Sequence, residues 1–170
     1  IDRLSEALMQ VSGAYALVVI MEGCLVGVRD PLGIRPLVIG TLGDATILAS
    51  ETCALDIIGA DYVRDVDPGE MVIISENGVK STRIADPQPS RFCIFEYIYF
   101  ARPDSRLEGR SVYQARKSIG QELSKEAGIE ADIVVPVPDS GVPAAIGYAE
   151  ASGIPFELGI IRNQYIGRTF

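Results

Sequence analysis

The pattern of apolar residues changes once along this chain, across the segment ADPQPSR at residues 85–91. Before it, short runs rich in Val and Ile alternate with Gly, Pro, Asn and Asp turns, which is typical of antiparallel sheet. After it, strand, helix and strand patterns follow in that order, which predicts a parallel βαβ unit. Because prolines and the lack of large apolar side chains mark 85–91 as a linker, we predict domains at 1–90 and 91–170.

The first domain is predicted to be α+β, with an antiparallel sheet layer covered by helix. Asn77-Gly78 between two apolar runs predicts a hairpin, since both residues tolerate positive φ. Apolar spacing predicts a helix over the first thirteen residues and a short helix that ends at Gly59. Strands are predicted at 14–20, 24–28, 37–40, 46–50, 71–75 and 79–84.

The second domain is predicted to be α/β. Residues 111–128 have helical spacing, with Val112, Ala115, Ile119 and Leu123 on one stripe and a glycine at the end. The nearly continuous apolar run at 131–138 is typical of a parallel strand buried on both faces. A second helix over 139–153 and a strand over 156–163 complete the unit.

Composition excludes several classes of function. The formal net charge is −8 with scattered cations, so we expect no nucleic-acid binding. No apolar run is long enough for a membrane span and no targeting segment is seen, so a cytoplasmic protein is expected. The chain has no histidine, which excludes Ser-His-Asp and Cys-His nucleophile systems within these residues.

The segment PVPDSG at residues 136–141 is the clearest candidate site. A buried strand is predicted to end there and a helix to begin, with Pro143 in its first turn. Helix N-termini at the carboxyl edge of a parallel sheet bind anions, and Ser140 could offer a hydroxyl to hydrated Mg²⁺. A helix capped by Asp139 or Ser140, with no ligand, is the alternative and commoner interpretation.

Two other segments combine charge with turn or aromatic residues. In EYIYFARPDS, residues 96–105, Glu96 lies among aromatic side chains and is expected to need a cation such as Arg102; the aromatics are expected in a core or domain interface. In RDPLGIRP, residues 29–36, Arg29, Asp30 and Arg35 lie around a proline-glycine turn, which an Arg–Asp pair could lock.

For the remaining candidate residues, a structural role is preferred to a functional one. Ser50 and Glu51 are expected to cap the following helix. Cys24 and Cys53 are expected in the core, and so is Cys93, although a single metal ligand stays open for it. At the end of the chain, Arg162 and Arg168 could contact phosphate.

Several of these segments occur together in one known family. GAYALVV, RDPLGIRPL, ASETCALD, RDVDPGE, EYIYFARPDS, VPDSG and RNQYIGRTF follow in the order found in glutamine phosphoribosylpyrophosphate amidotransferases, so the chain resembles an internal part of that family. The resemblance implies the C-terminal part of an N-terminal-nucleophile (αββα) glutaminase domain over 1–90. Over 91–170 it implies the start of a type I phosphoribosyltransferase parallel-sheet domain.

The resemblance implies a glycosyltransferase that uses glutamine and phosphoribosylpyrophosphate to form phosphoribosylamine, the first committed step of purine synthesis. Asp139, Ser140 and Gly141 then match substrate-binding positions, and Ser140 matches a Mg²⁺ position. Cys93 matches one of four cysteines that hold a 4Fe–4S cluster in one branch of the family. The nucleophilic cysteine would precede Ile1, so no catalytic residue is expected within the chain, and the 170 residues alone are expected to be inactive.

Two alternatives stay open at this point, and a homo-oligomer is expected in any case. A glucosamine phosphate or asparagine amidotransferase would share the first half but should lack the PVPDSG turn. A non-catalytic remnant of the same fold is the second alternative. Cluster content and nucleotide regulation are not readable from these residues.

Overall fold

A computed structural model describes residues 1–86 and 88–167 of the chain. Arg168, a candidate phosphate contact, therefore lies outside the described residues, as does Pro87 of the linker. Within the described part, no helix combines the length and the apolar character that a membrane span requires.

The chain divides into two units that alternate along the sequence. Unit 1 consists of Ile1–Ile94 together with Arg106–Glu108, and unit 2 consists of Phe95–Ser105 and Gly109–Phe170. The first division falls between residues 94 and 95, four residues after the boundary expected from the linker. The apolar pattern of the sequence does not predict that Arg106–Glu108 belongs to unit 1.

Unit 1 is built from two antiparallel sheets and two short helices. Asn77-Gly78 forms the predicted hairpin, with Gly78 at a φ of +94° and paired with Ser75. One sheet has the strand order β1-β2-β6-β7 and the other the order β4-β3-β5. The elements are α1 (Asp2–Leu8), β1 (Ala16–Met21), β2 (Cys24–Arg29), β3 (Val38–Leu42), β4 (Ala45–Ala49), α2 (Thr52–Ile58), β5 (Asp61–Asp65), β6 (Glu70–Ser75), β7 (Gly78–Arg83) and β8 (Arg106–Leu107).

Three apolar clusters order these elements as helix, sheet, sheet, helix. Leu8 of α1 packs on Val26, Val28 and Met71, on the outer face of the first sheet. Between the sheets, Val72 packs with a group contributed by the second sheet and its flanks, namely Leu37, Ile39, Leu48 and Val66. On the far side, Leu55 of α2 packs on Val38 and Ala60. Alternate residues of β6 thus serve two different cores, as the period of two along a strand requires.

Three expectations for unit 1 need correction. Strand β5 lies where no strand was predicted, because its apolar signal is limited to Tyr62 and Val63. Glu51 is the N-cap residue of α2, yet no side chain makes a capping hydrogen bond there. Arg29 and Asp30 do not pair with each other, because each side chain binds backbone groups of the turn instead.

In its described residues, unit 2 contains a π-helical turn, two longer helices and one short strand. The helix α3 has its N-cap at Ser111, whose hydroxyl accepts a hydrogen bond from the amide of Gln114. Gly128 and Gly153 end the two helices at φ values of +53° and +74°, as predicted. The elements are the π-helical turn Glu96–Phe100, β9 (Arg110–Ser111), α3 (Val112–Ala127) and α4 (Val142–Ser152).

The two predicted parallel strands are reduced to a single parallel bridge between Val134 and Phe156. The amide of Val134 donates to Pro155, and the amide of Glu157 donates back to Val134. Pro136 lacks an N–H group, so the ladder cannot continue along the segment. Burial on both faces was also expected, but Val137 keeps 69% of its surface exposed.

The aromatic block lies only partly in the core of unit 2. Tyr97 is buried, but Phe95, Tyr99 and Phe100 each keep more than half of their surface exposed. Core packing therefore describes only one of the four aromatic residues at 95–100. The rings of Tyr99 and Phe100 contact each other edge to face, with centroids 6.2 Å apart.

Candidate anion-binding cleft

The turn before α4 is shaped by backbone hydrogen bonds and a glycine. The amide of Gly141 donates to Val137 over 3.1 Å, and the amide of Val142 donates to Asp139 over 3.3 Å. A Cβ atom at Gly141 would lie 2.7 Å from the Val137 carbonyl oxygen, so a side chain does not fit there. Gly141 is the N-cap residue and no side chain makes a capping bond, which corrects the expectation that Asp139 or Ser140 caps the helix.

This turn forms one wall of a cleft of about 390 Å³ within unit 2. Asp139 and Ser140, both predicted as site residues, line the cleft, and Gly141 follows directly behind them. The opposite side comes from the end of the π-helical turn and the residues after it. The lining residues are Tyr99, Phe100, Ala101, Arg102, Pro103, Arg116, Pro138, Asp139, Ser140 and Arg162.

The charged lining is mainly cationic, with three guanidinium groups against one carboxylate. Arg162 Nη1 lies 3.1 Å from Asp139 Oδ2, and both side chains are at least half exposed. Such an exposed ion pair contributes little stability and exchanges readily with other partners. The hydroxyl of Ser140 makes no hydrogen bond within the described residues, so it is available to a ligand.

Arg102 is positioned by its neighbour Asp104. Its Nε and Nη2 atoms lie 3.0 and 2.7 Å from the two carboxylate oxygens, a bidentate arrangement that fixes the guanidinium plane. Hydrogen bonding from Arg102 also lowers the pKa of Asp104 from its ordinary value. The pair therefore stays ionised near neutral pH and holds a cation in the lining of the cleft.

Arg116 is a cleft residue that sequence reasoning missed. It is only 2% exposed, and its Nε and Nη2 atoms donate to the carbonyls of Tyr97 and Ala101 over 2.6 and 2.7 Å. It fastens the π-helical turn to α3 and fixes Ala101 at the cleft. The buried residues of α3 are Val112, Arg116 and Gly120, one helical turn apart. Because Arg116 is charged and Gly120 has no side chain, the apolar spacing of the sequence did not identify this buried stripe.

Metal ligands are sparse among the residues that the structure describes. No group of three Cys, Asp or Glu side chains suited to a metal ion occurs there. Cys93 is half-buried with a free thiol, and its amide donates to the Ile34 carbonyl over 3.2 Å. A 4Fe–4S cluster needs four thiolates. The described residues therefore do not fit a cluster by themselves, and its presence stays a prediction.

Relatives that share one name match nearly the whole length of the chain. No family model matches. An amidophosphoribosyltransferase of Rhizobium etli is 54% identical over 99% of the chain, and one of Synechocystis is 55% identical over 100%. The chain matches a segment of the amidophosphoribosyltransferase family. In both relatives this segment is about 35% of the whole protein.

Two solved structures are similar to the same extent of the chain. The amidotransferase of B. subtilis, described as glutamine phosphoribosylpyrophosphate amidotransferase complexed with ADP and GMP, superposes with a TM-score of 0.94 at 51% identity. The structure described as the allosteric regulatory enzyme of purine biosynthesis gives 0.95 at 51% identity. In both comparisons the match covers 99% of this chain. It covers 37% of the first solved chain and 36% of the second. These findings do not favour the glucosamine phosphate or asparagine alternatives.

Proposed function

We propose that this chain is the part of an amidophosphoribosyltransferase that binds the pyrophosphate side of phosphoribosylpyrophosphate. The whole enzyme would form 5-phosphoribosylamine, glutamate and pyrophosphate from glutamine and phosphoribosylpyrophosphate, in the first step of de novo purine synthesis. The observation that carries the proposal is the cationic cleft at the N-terminus of α4, lined by Asp139 and Ser140.

The two units would serve the two half-reactions. The helix, sheet, sheet, helix order of unit 1 supports the C-terminal part of an N-terminal-nucleophile glutaminase domain. Unit 2, with its parallel bridge and its helix after the bridging segment, supports the start of a type I phosphoribosyltransferase domain. Homo-oligomer formation stays a prediction beside these assignments.

The cleft suits a reaction in which pyrophosphate leaves. When ammonia displaces pyrophosphate at C1 of the ribose, the C1–O bond breaks and negative charge collects on the departing oxygen. Preorganised cations and the N-terminus of a helix stabilise such charge most as it develops. Arg162 would exchange its bond to Asp139 for a phosphate oxygen, while Arg102 stays fixed by Asp104 in the cleft lining.

The residues present fit a bound Mg²⁺ through a hydroxyl and a carboxylate rather than a complete cage. Mg²⁺ commonly keeps waters and takes one or two protein oxygens plus substrate phosphates, which suits the pair Ser140 and Asp139. Bound there, it would neutralise charge on the pyrophosphate. The chain's own contribution is to orient the diphosphate between Ser140 and Arg162.

Replacement of Ser140 tests the site. Ser140→Ala removes the unbonded hydroxyl from the cleft, and we expect Mg²⁺-dependent affinity for phosphoribosylpyrophosphate to fall about tenfold, because one ligand oxygen is worth roughly 1–2 kcal/mol. Calorimetric titration of the protein at its full encoded length, with and without Mg²⁺, measures this. Ser118→Ala, exposed in the middle of α3, is the control. Unchanged affinity in the Ser140 variant would remove that residue from the site.

A further inference from the structure

The segment 99–103, here called the first wall of the cleft, is attached to the beginning of α3 within unit 2. The amide of Tyr113 donates to the Pro103 carbonyl, and the amide of Val112 donates to the Ser105 carbonyl, each over 3.0 Å. The first amides of a helix have no partner inside that helix. Because these two amides bind the segment instead, they hold the end of the first wall against the start of α3.

Arg116 attaches the first wall to α3 a second time, about one helical turn further along. Its buried side chain donates from Nε to the Tyr97 carbonyl over 2.6 Å and from Nη2 to the Ala101 carbonyl over 2.7 Å. The amide of Ala101 donates in turn to the Glu96 carbonyl over 3.1 Å, at the end of the π-helical turn. Because a guanidinium presents its donors in a rigid fork, two bonds from one side chain fix both the position and the orientation of the wall.

The residues 138–140, here called the second wall, are attached to the same helix through α4. This helix starts directly after the turn that forms the second wall. The backbones of α3 and α4 approach so closely at Gly120 and Gly147 that neither position has room for a Cβ atom. The ion pair between Lys117 and Glu150 joins the two helices as well. Since α3 holds both walls, the bonds that it makes set their separation.

We propose that Arg116 is a positioning residue that sets the width of this cleft and so makes it selective for a diphosphate over a single phosphate. A ligand with two linked anionic groups can contact Arg102 on the first wall and Ser140 on the second at once, whereas a single phosphate contacts one wall. Two linked contacts strengthen binding only while the ligand can span the separation between them. Arg116 acts by holding the first wall at that separation. The diphosphate rests on the proposed function, whereas the attachment of the wall does not.

Replacement of Arg116 by lysine separates the position of the wall from the charge beside it. Arg116→Lys keeps a cation at the cleft but loses the fork that binds two carbonyls. In the protein at its full encoded length, with Mg²⁺ present, we expect affinity for inorganic pyrophosphate to fall about tenfold, roughly the equivalent of one hydrogen bond. Affinity for inorganic phosphate should stay within about twofold of the wild-type value, because a single phosphate does not depend on the separation of the walls.

Calorimetric titration with each anion measures this selectivity. Arg110→Lys makes the same change of side chain at an exposed residue that does not line the cleft, and it should alter neither affinity. A general loss of structure in Arg116→Lys would weaken both anions alike, and a role limited to charge would leave pyrophosphate binding intact. Either result would overturn the proposal.

Amide hydrogen exchange decides the question where Arg116→Lys does not fold, and it separates this inference from the proposed function. In the wild type, pyrophosphate should slow exchange at Ala101 beside the first wall and at Gly141 and Val142 beside the second, whereas phosphate should protect one wall at most. Equal protection of both walls by the two anions would contradict selection by width.

If pyrophosphate protects neither wall, the proposed function is wrong, and exchange in the ligand-free protein then tests the attachment alone. Arg116→Lys should accelerate exchange at Ala101, because it removes the fork that holds this residue on α3. Arg110→Lys should leave that rate as in the wild type. Equal rates in the two variants would end the positioning role of Arg116.

Discussion

Single side chains in unit 1 organise the backbone more than they pair with one another. Asp30 is fully buried, and its two oxygens accept hydrogen bonds from the amides of Leu32, Ile34 and Arg35 over 3.0–3.1 Å. Arg29 binds the carbonyls of the same turn. Asp30 thus accepts hydrogen bonds from backbone amides of the turn, and Arg29 donates hydrogen bonds to its backbone carbonyls. Few buried polar groups of the turn are left without a partner. The sequence indicates that a charged pair shapes this turn, but not which backbone atoms it meets.

Glu70 makes the stability of unit 1 depend on pH. Burial would raise the pKa of Glu70, but hydrogen bonds from Arg64, Ser81 and the Asp67 amide outweigh it and lower the pKa to about 2. A depressed carboxyl pKa stabilises the fold fully above the ordinary value of 4.5, and this stabilisation is lost as the pH falls from 4.5 towards 2. We expect a loss of about 1–2 kcal/mol across that window, because Arg64 is partly exposed to solvent.

Chemical denaturation at about pH 6, above that window, and at about pH 4 and 3, within it, measures the effect. Glu70→Gln should lower the free energy of unfolding at pH 6 and flatten its decline between pH 4 and 3. Thr82→Ser, an exposed neighbour on β7, should keep the wild-type dependence. A variant at Glu70 that declines as steeply as the wild type would show that another group causes the acid sensitivity.

Among whole elements, α3 and α4 are held together by an unusually close approach of their backbones. A Cβ atom at Gly120 would lie 1.8 Å from the Ala144 carbonyl oxygen, and one at Gly147 would lie 2.0 Å from the Lys117 carbonyl oxygen. The ion pair between Lys117 and Glu150 links the same two helices over 2.7 Å. The close crossing of α3 and α4 therefore depends on glycine at positions 120 and 147.

Gly120→Ala should therefore destabilise unit 2. In an ordinary helix the change stabilises by about 0.5–1 kcal/mol, because alanine loses less backbone entropy on folding. Here the methyl group would collide with backbone that cannot move aside alone, and overpacking costs about 1–3 kcal/mol or more. Thermal unfolding should show a lower Tm for Gly120→Ala and little change for Ser118→Ala on the exposed face. A higher Tm for Gly120→Ala would mean that the helices are not so close.

Local patterns predicted the elements with short-range signals and missed those set by tertiary contacts. The Asn77-Gly78 hairpin and the glycine ends of α3 and α4 follow from residues that are adjacent in sequence. The π-helical turn at 96–100 depends on Arg116, whose bonds to Tyr97 and Ala101 span nineteen and fifteen residues. The segment at 131–138 reads as a strand by composition, yet Pro136 stops its ladder after one bridge.

At the scale of the whole molecule, two units alternate along the chain where the sequence indicates two successive domains. The linker composition at 85–91 predicts a domain boundary after residue 90, and that boundary stays a prediction. The return of Arg106–Glu108 could not be predicted, because its main contacts are with Arg29 and Thr52, far away in the sequence. The cleft was partly predictable: the turn at Asp139 and Ser140 has a local signature, whereas Arg102 and Arg116 reach it only through folding.

This alternation predicts which unit is destabilised when one buried residue is substituted. Leu107 lies after the first eleven residues of unit 2 in the sequence, but it is assigned to unit 1 and is only 1% exposed. Leu107→Ala should cost about 2–4 kcal/mol, because it leaves a cavity in a packed region. Native-state hydrogen exchange should show faster exchange in the slowest amides of β2 and β6, with α3 and α4 unchanged. Leu123→Ala, which replaces a half-exposed residue of α3, should leave β2 and β6 as in the wild type. If Leu107→Ala instead accelerated exchange only in α3 and α4, residues 106–108 would belong energetically to unit 2.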